Sequence, residues 1–436
     1  MVTSEAVDDA TGRQRTDSTR KIAVASLVGT TIEFYDFYVF ATASALVIGK
    51  LFFPAESSTA QTLSSFAAFG IAFFARPIGA AIFGHFGDRV GRKATLVASL
   101  LTMGVSTLLI GVLPGYGSIG VAAPLLLCVL RMGQGLGLGG EWGGAALVAT
   151  ENAPPGRRAW YGMFPQLGAP VGFFLANGLF VVLALTLSKD QFAAWGWRIP
   201  FLVSAALVAV GLWVRLSLTE TPVFREALER QEAVKVPIAA LFRRHAAAVA
   251  LGSFAMVVCY ALFYLTTVFS LNYGTTKLGW STEGFLGLLL VAVVFMAIGT
   301  AVSGRLADRF GRCPVIVTGS VLTVALGFLF KPMVSGGSWL PLLAFLCLGL
   351  LLMGITFGPM GALLPELFST AVRYTGSSTA YNLGGILGGS VAPFVAAVLV
   401  KHGGLASVGL YLSATGVVSA IAVLLTRETR EGDLAG

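Results

Sequence analysis

The sequence predicts an all-α integral membrane protein, with twelve transmembrane helices in two six-helix halves and both termini in the cytoplasm. Three observations predict it. Only 11% of the 436 residues are charged while 56% are hydrophobic, against about 25% charged in an average soluble domain. Twelve apolar runs come near the roughly 20 residues that cross a bilayer as a helix. A nine-residue pattern also occurs twice, half a chain apart, in polar turns between such runs.

The runs fall at about 22–49, 62–83, 94–113, 119–149, 159–187, 197–217, 246–272, 284–303, 314–330, 338–364, 374–400 and 405–426. They lack the ~10-residue alternation of membrane β-strands. Residues 1–21 read as a cytoplasmic tail, 22–217 as the first bundle, 218–245 as a cytoplasmic linker, 246–426 as the second bundle and 427–436 as a closing tail. In the linker, Thr221-Pro222 has the cap-then-proline pattern of a helix start. Residues 223–232 carry mixed charge, and 236–244 suit the membrane interface.

Charge sets the orientation. Of 29 Lys and Arg, 21 fall in the tails and inner loops of this layout. Only Lys50, Lys189, Lys277, Lys331 and Lys401 face outward; Arg76, Arg131 and Arg198 lie within or at the edge of spans. That asymmetry is the positive-inside rule, and it accounts for the net charge of +8 without a nucleic-acid partner. The first apolar run is too long for a cleaved signal peptide. The expected location is the plasma (inner) membrane, multi-pass. The four cysteines have no pair spacing, so neither a disulfide nor a metal site is expected.

The repeated pattern is Gly84-His85-Phe86-Gly87-Asp88-Arg89-Val90-Gly91-Arg92, and again Gly304-Arg305-Leu306-Ala307-Asp308-Arg309-Phe310-Gly311-Arg312. Glu151 precedes Arg158 by seven residues, as Glu366 precedes Arg373. Two ordered matches at offsets of 220 and 215 residues mark a duplicated half. In an apolar chain this points to a transporter with its substrate path between the halves. Asp88 and Asp308 suit helix N-termini. Arg89, Arg92, Arg309 and Arg312 can pair with Glu151, Glu366 or lipid phosphates. Such a network is expected to hold the halves shut on the cytoplasmic side.

These stretches resemble the signatures of the major facilitator superfamily over essentially the whole chain, and Arg131-Met-Gly-Gln134-Gly135 looks like its fourth-helix signature. Glu33-Phe-Tyr-Asp-Phe37, Phe74-Ala-Arg76-Pro77, Gly139-Gly-Glu141-Trp-Gly-Gly144, Trp195-Gly-Trp-Arg198-Ile-Pro200 and Pro365-Glu366-Leu-Phe are similar to its metabolite:proton symporters. That group includes the shikimate, α-ketoglutarate and proline/betaine permeases. Leu271-Asn272-Tyr273 and 136–148 look most like the shikimate permease. Phe34 stands where the group often has Trp.

An ionisable residue within a span is a functional candidate by default, because it costs several kcal/mol to insert. Glu33, Asp36, Arg76, Arg131 and Glu141 all lie in the first half, and the interiors of the last six runs carry none. Glu33 and Asp36 share a helix face. The sugar porters of the resembled family couple a similar first-helix acid to a fourth-helix arginine. The resemblance therefore implies that Asp36 takes the proton and, when charged, pairs with Arg131, which also receives an anionic substrate. Glu33 and Glu141 are the alternative proton carriers. Arg76 reads as snorkelling or structural, and Arg198, beside Trp195 and Trp197, as an interfacial anchor. Tyr35, Gln134, Gln166, Asn177, Tyr260, Tyr264, Asn272, Tyr381 and Asn382 are the neutral polar candidates for the substrate site.

The expected function is proton-coupled uptake of a small organic acid, shikimate-like or a dicarboxylate, by alternating access. No cofactor is expected beyond the proton, membrane lipid is the solvent, and the working unit is read as a monomer. An exporter is the alternative, although Gly168-Ala-Pro170-Val-Gly172 only partly matches the exporters' fifth-helix motif. A nutrient sensor is a minor alternative, disfavoured by the short tails. An enzyme is not expected. The glycines of 133–144 superficially match a nucleotide fingerprint, but they lie inside a membrane run with no preceding strand.

Overall fold

The computed structural model describes the backbone of residues 4–54, 58–90, 92–139, 141–217, 238–369 and 372–430, and the side chains of 23–54, 58–83, 97–139, 141–213, 241–369 and 372–430. The linker pattern at Thr221-Pro222 and residues 223–232 lies outside the described residues. So do the side chains of Gly84, Asp88, Arg89 and Arg92.

The first half contains α1 (Ser4–Ala43), α2 (Ser58–Val90), α3 (Arg92–Val112), α4 (Ala122–Leu138), α5 (Glu141–Glu151), α6 (Arg158–Thr186) and α7 (Ile199–Ser217). The second contains α8 (Ile238–Tyr264), α9 (Thr282–Phe310), α10 (Arg312–Val334), α11 (Trp339–Phe357), α12 (Met360–Glu366), α13 (Arg373–Gly384) and α14 (Ala392–Leu424). Helices α4 with α5, and α11 with α12, make one crossing each. Among the described residues, ten helical stretches are long and apolar enough to cross a membrane, and Val97–Val112 is a shorter apolar helix. The stretch Arg373–Leu424 is broken at Gly404, where φ is 68°, and so crosses twice. Twelve crossings result, matching the apolar runs.

Before its crossing, α8 carries a short helical segment that bends at His245 (φ −125°). This is where the sequence placed an interfacial segment. Serines cap the outer starts of two helices: Ser188 forms a reciprocal box with Gln191, and Ser281 Oγ accepts the Gly284 N–H of α9.

Among the described residues, three crossings contain a π-helical turn: Ser44–Ile48 after α1, Leu265–Phe269 after α8 and Gly385–Ser390 after α13. Such turns loosen the backbone ladder and gather at functional sites. Ser270 Oγ donates to the Leu265 carbonyl and satisfies one released acceptor. The same three crossings line the seam between the halves. Close approach within the first half depends on small residues: a Cβ on Gly139 would overlap the Arg76 carbonyl, so α4 can lie directly on α2.

Candidate transport site

The halves meet in a layered stack along the central axis. At the outer end, Asn272 Nδ2 donates to the Ala45 carbonyl at 2.9 Å and Ser390 Oγ to the Gly70 carbonyl at 3.4 Å. An aromatic layer follows: Tyr38 stacks on Phe263 at 4.9 Å, and Phe69 meets Tyr264 edge-on at 5.1 Å. Further inward, Trp142 stacks on Tyr381 with ring centroids 3.9 Å apart and planes at 7°. Trp142 Nε1 donates to Gln166 Oε1, and Gln166 Nε2 donates across the seam to the Phe357 carbonyl. Asn382 Nδ2 likewise reaches the Gly139 carbonyl.

Between the aromatic layer and the Trp142–Tyr381 floor lies a small cavity of about 10 Å³, room for roughly one water. Its walls include Tyr38 and Arg76 from the first half and Cys259, Tyr260, Tyr264 and Tyr381 from the second. Closed on both sides, the seam has an occluded geometry.

Arg76 is the cation of this cavity. It is 5% exposed, and its guanidinium carbon lies 4.4 Å from the centroid of Phe37 and 4.7 Å from that of Phe73. Arg76 Nε and Tyr260 Oη are buried without a hydrogen-bond partner. A buried donor left unpaired costs about 1–3 kcal/mol, and Arg76 is among the residues that line the cavity. Its burial departs from the snorkelling half of the reading made from the sequence and leaves the structural half open.

Arg131 is fully buried but does not line the cavity. Its Nη2 donates to the Phe69 carbonyl at 2.8 Å, its Nε to the Ala68 carbonyl, and its Nη1 to Gln134 Oε1. Its guanidinium also lies 3.9 Å from the Phe40 ring centroid. With its donors engaged, Arg131 is not placed to meet substrate in this conformation.

Asp36 is fully buried on α1. Ser204 donates to its Oδ1, and the Thr107 hydroxyl lies 3.3 Å from its Oδ2. Gln134 Nε2 donates to Thr107 Oγ1 at 2.7 Å. The expected direct Asp36–Arg131 pair is therefore replaced by a chain: Asp36, Thr107, Gln134, Arg131. Two side chains stand between the ions because Arg131 is drawn toward the α2 carbonyls. Glu33 and Glu141 are also buried, and Ser99 Oγ donates to Glu141 Oε1 at 3.4 Å.

The neutral candidates separate by role. Tyr260, Tyr264 and Tyr381 line the cavity. Gln166, Asn272 and Asn382 hold the seam. Tyr35 instead donates its hydroxyl to the Pro200 carbonyl, and Asn177 Oδ1 accepts from Thr42; both bonds lie within the first half. Arg198 donates to the carbonyls of Gly111 and Leu113, tying α7 to the end of α3. Tyr38 and Phe37, absent from the sequence-based candidates, prove central. Their signal was position: they directly follow Asp36 on α1.

The cytoplasmic end carries the second copy of the repeated pattern. Asp308 Oδ1 and Oδ2 accept the N–H groups of Ala159 and Trp160, both at 2.9 Å, so the acid of one half seats on the N-terminus of α6 in the other. The guanidinium of Arg305 lies 4.1 Å from the Trp160 ring centroid. Arg373 pairs with Glu151 across the seam at 3.5 Å. Arg312 binds Glu366 through both Nε and Nη2, at 3.2 and 3.1 Å, within the second half. Gly311, at φ 104°, makes the turn between α9 and α10 that only glycine takes readily. Arg158 is half-buried at the start of α6, whereas Arg309 is exposed and lies over Phe310.

Comparison with known proteins agrees with this architecture. The chain is 56% identical over 424 residues to the inner membrane metabolite transport protein YhjE of Escherichia coli (strain K12), covering 96% of each chain. It is 37% identical over 418 residues to the shikimate transporter of the same organism, covering 94% of this chain and 95% of that one. Its fold matches the proton:xylose symporter XylE bound to 6-bromo-6-deoxy-D-glucose, with a TM-score of 0.74 at 18% identity over 95% of this chain and 97% of that one. The protein is thus a multi-pass inner-membrane transporter of small molecules and not an enzyme. A family profile matches residues 27–389 and 294–435, and on this evidence the chain belongs to the Major Facilitator Superfamily.

Proposed function

We propose that this protein imports a small hydroxylated organic acid together with a proton, working as a monomer. The observation that carries the reading is Arg76: a buried cation with an unpaired Nε, lining the same cavity between the halves as four phenols. One guanidinium suits one carboxylate, and the hydroxyls of Tyr38, Tyr260, Tyr264 and Tyr381 suit the substrate's own hydroxyls. The name of the 37%-identical relative, a shikimate transporter, supports a ring-bearing hydroxy acid.

Asp36 is the proton carrier in this reading, and Glu33 and Glu141 are the alternatives. It lies in the first half, away from the cavity, held by neutral hydroxyls and linked to Arg131 through Thr107 and Gln134. Protonating Asp36 removes a negative charge from a region that holds two buried arginines. The local potential becomes more positive, and Arg76 holds an anion more strongly. Proton and substrate then favour each other's binding, as symport requires. The rocking of the halves opens the layers above and below the cavity in turn.

The test uses protein in liposomes with an inward proton gradient and labelled shikimate, α-ketoglutarate, citrate and betaine. The expected result is accumulation of a hydroxylated monocarboxylate that collapses with a protonophore. Equilibration without accumulation would refute proton coupling. Accumulation of betaine alone would refute the anion site.

A further inference from the structure

The two arginines buried in the first half meet on one ring. Phe37 is enclosed in α1, and the Arg76 and Arg131 guanidinium carbons lie 4.4 Å and 5.2 Å from its centroid. Among the described residues it is the only ring with both guanidiniums recorded over it, although the Tyr264 phenol in the cavity wall also lies within reach of both charges. Phe73 packs edge-on to it at 5.1 Å and Phe69 at 5.4 Å, so the ring is held in place. Arg76 belongs to the cavity and Arg131 to the chain that ends on Asp36. Phe37 thus lies between the substrate site and the proton site.

We propose that Phe37 is a positioning residue that couples the two sites by sharing its π face between the two guanidiniums. The inference rests on the reading of Arg76 as the substrate cation and Asp36 as the proton carrier. A ring attracts a cation in proportion to that cation's unneutralised charge. The two guanidiniums over the ring also repel each other, so when a carboxylate neutralises Arg76 that repulsion falls and Arg131 can settle closer on Phe37. That movement competes with the Arg131–Gln134 bond, and Gln134 holds the Thr107 hydroxyl beside Asp36. Protonation of Asp36 acts along the same chain in reverse, as linkage demands. Glu141 and Tyr35 lie near enough to Asp36 to feel its charge, and Glu33 stands one turn before it on α1. From α3 and α7 come only the hydroxyls of Thr107 and Ser204.

The experiment measures exchange of labelled shikimate, or whichever acid of the panel is accumulated, at acidic and neutral pH. The proteins compared are wild type, Phe37→Leu, Phe37→Tyr and Asp36→Asn in liposomes. Wild type is expected to bind more tightly at acidic pH. Phe37→Leu should still exchange, but its pH-dependent change in KM should shrink about tenfold, the weight of a desolvated cation–π contact. Phe37→Tyr, which keeps the π face, should restore it. An undiminished pH effect in Phe37→Leu, alongside its loss in Asp36→Asn, would overturn the role of Phe37 and leave the transport reading intact. Persistence of the effect in Asp36→Asn would overturn both. Equal loss of exchange and coupling in both Phe37 variants would show that the ring only fills space.

Discussion

Trp142 and Tyr381 stack face to face across the two halves, 3.9 Å apart, and close the cavity on the cytoplasmic side. Trp142 comes from α5, Tyr381 from α13. Trp142 is further fixed through Gln166, whose amide reaches the Phe357 carbonyl of the other half. One side chain thus makes the floor of the site and a rivet of the seam.

Replacing it should open the inner side. Trp142→Ala removes the stack and the bond to Gln166, together worth about 1–3 kcal/mol, or roughly fivefold to a hundredfold in the open-to-closed ratio. Cys259 lines the cavity and is 1% exposed. With Cys128, Cys313 and Cys347 changed to Ser, an impermeant maleimide applied from the cytoplasmic side should label Cys259 faster by that factor. Unchanged labelling would mean that the cytoplasmic ion network alone holds the inner side.

Asp36→Asn should separate transport from its driving force. An asparagine keeps one acceptor oxygen and can donate its NH2 to the other hydroxyl, so the chain to Arg131 persists without an ionisable end. Counterflow exchange should continue while gradient-driven accumulation falls to the equilibration level. Full accumulation by this variant would pass the proton to Glu33 or Glu141.

The fold was legible in the sequence because a bilayer leaves little choice: each crossing must be a long apolar helix with its backbone satisfied internally. The break at Gly404 even coincides with the gap between the last two apolar runs. The site was legible only in part. Asp36 and Tyr260 stood out by type, but Arg76 was placed by its distance from the end of the apolar run near 83. That distance stands, since α2 beyond it is the polar motif that begins at Gly84; what the count could not show is that Arg76 turns inward over Phe37 and Phe73. Arg131 shows the complementary limit. Its depth could be counted along the axis, but its rotation toward the Ala68 and Phe69 carbonyls depends on how closely α4 approaches α2. That contact is tertiary and leaves no period in the sequence.

The two arginines should therefore respond differently to mutation. Arg76→Gln removes the cation of the cavity and should raise the KM for an organic acid by roughly tenfold to a hundredfold, the range for losing a charge-assisted contact of about 1.5–3 kcal/mol. Arg131→Gln should disturb coupling more than affinity, and folding most of all, because the Ala68 and Phe69 carbonyls lose their donor. Substrate protection of Cys259 from alkylation, measured for both, distinguishes the roles. Protection retained in Arg76→Gln and lost in a folded Arg131→Gln would reverse the assignment.

Glu428, just after the last crossing, should matter for anchoring and not for pH response. Its carboxylate accepts the N–H groups of Arg312 and Cys313 at the start of α10, at 3.0 and 2.9 Å. Partial burial pushes its pKa up, but these bonds and those from Thr429 and Arg430 outweigh it and hold the carboxyl below the usual glutamate value. A depressed folded pKa means that the stabilisation is complete at neutral pH. It begins to fade only as pH drops past the unfolded glutamate value, about 4.3, and is gone below the folded one. Glu428→Gln should lower stability by about 0.3–1 kcal/mol, a helix-terminus charge effect, with an unchanged pH profile of uptake between pH ~5 and ~8. A shifted profile in this variant would make the closing tail a pH sensor.

Asp308 tests whether the cytoplasmic layer is a gate or only a topological marker. Its two oxygens occupy the Ala159 and Trp160 N–H groups of the opposite half, and Arg312 lies 3.5 Å from its Oδ1. In the closed state those N–H groups have no other recorded acceptor, whereas opening the inner side would expose them to water. Their bonds to Asp308 thus stabilise closure specifically. Asp308→Ala should shift the population toward the inward-open form by about 1–2 kcal/mol, or roughly fivefold to thirtyfold. The shift would again be read as faster cytoplasmic labelling of Cys259. Uptake should fall, since the transporter would spend longer facing the wrong side, while the KM measured from the cytoplasmic face should improve by the same factor. That improvement is the decisive part: a variant that merely misfolds loses uptake without gaining affinity on one side. Slower labelling, or equal loss of affinity on both faces, would show that Asp308 supports the fold and takes no part in gating.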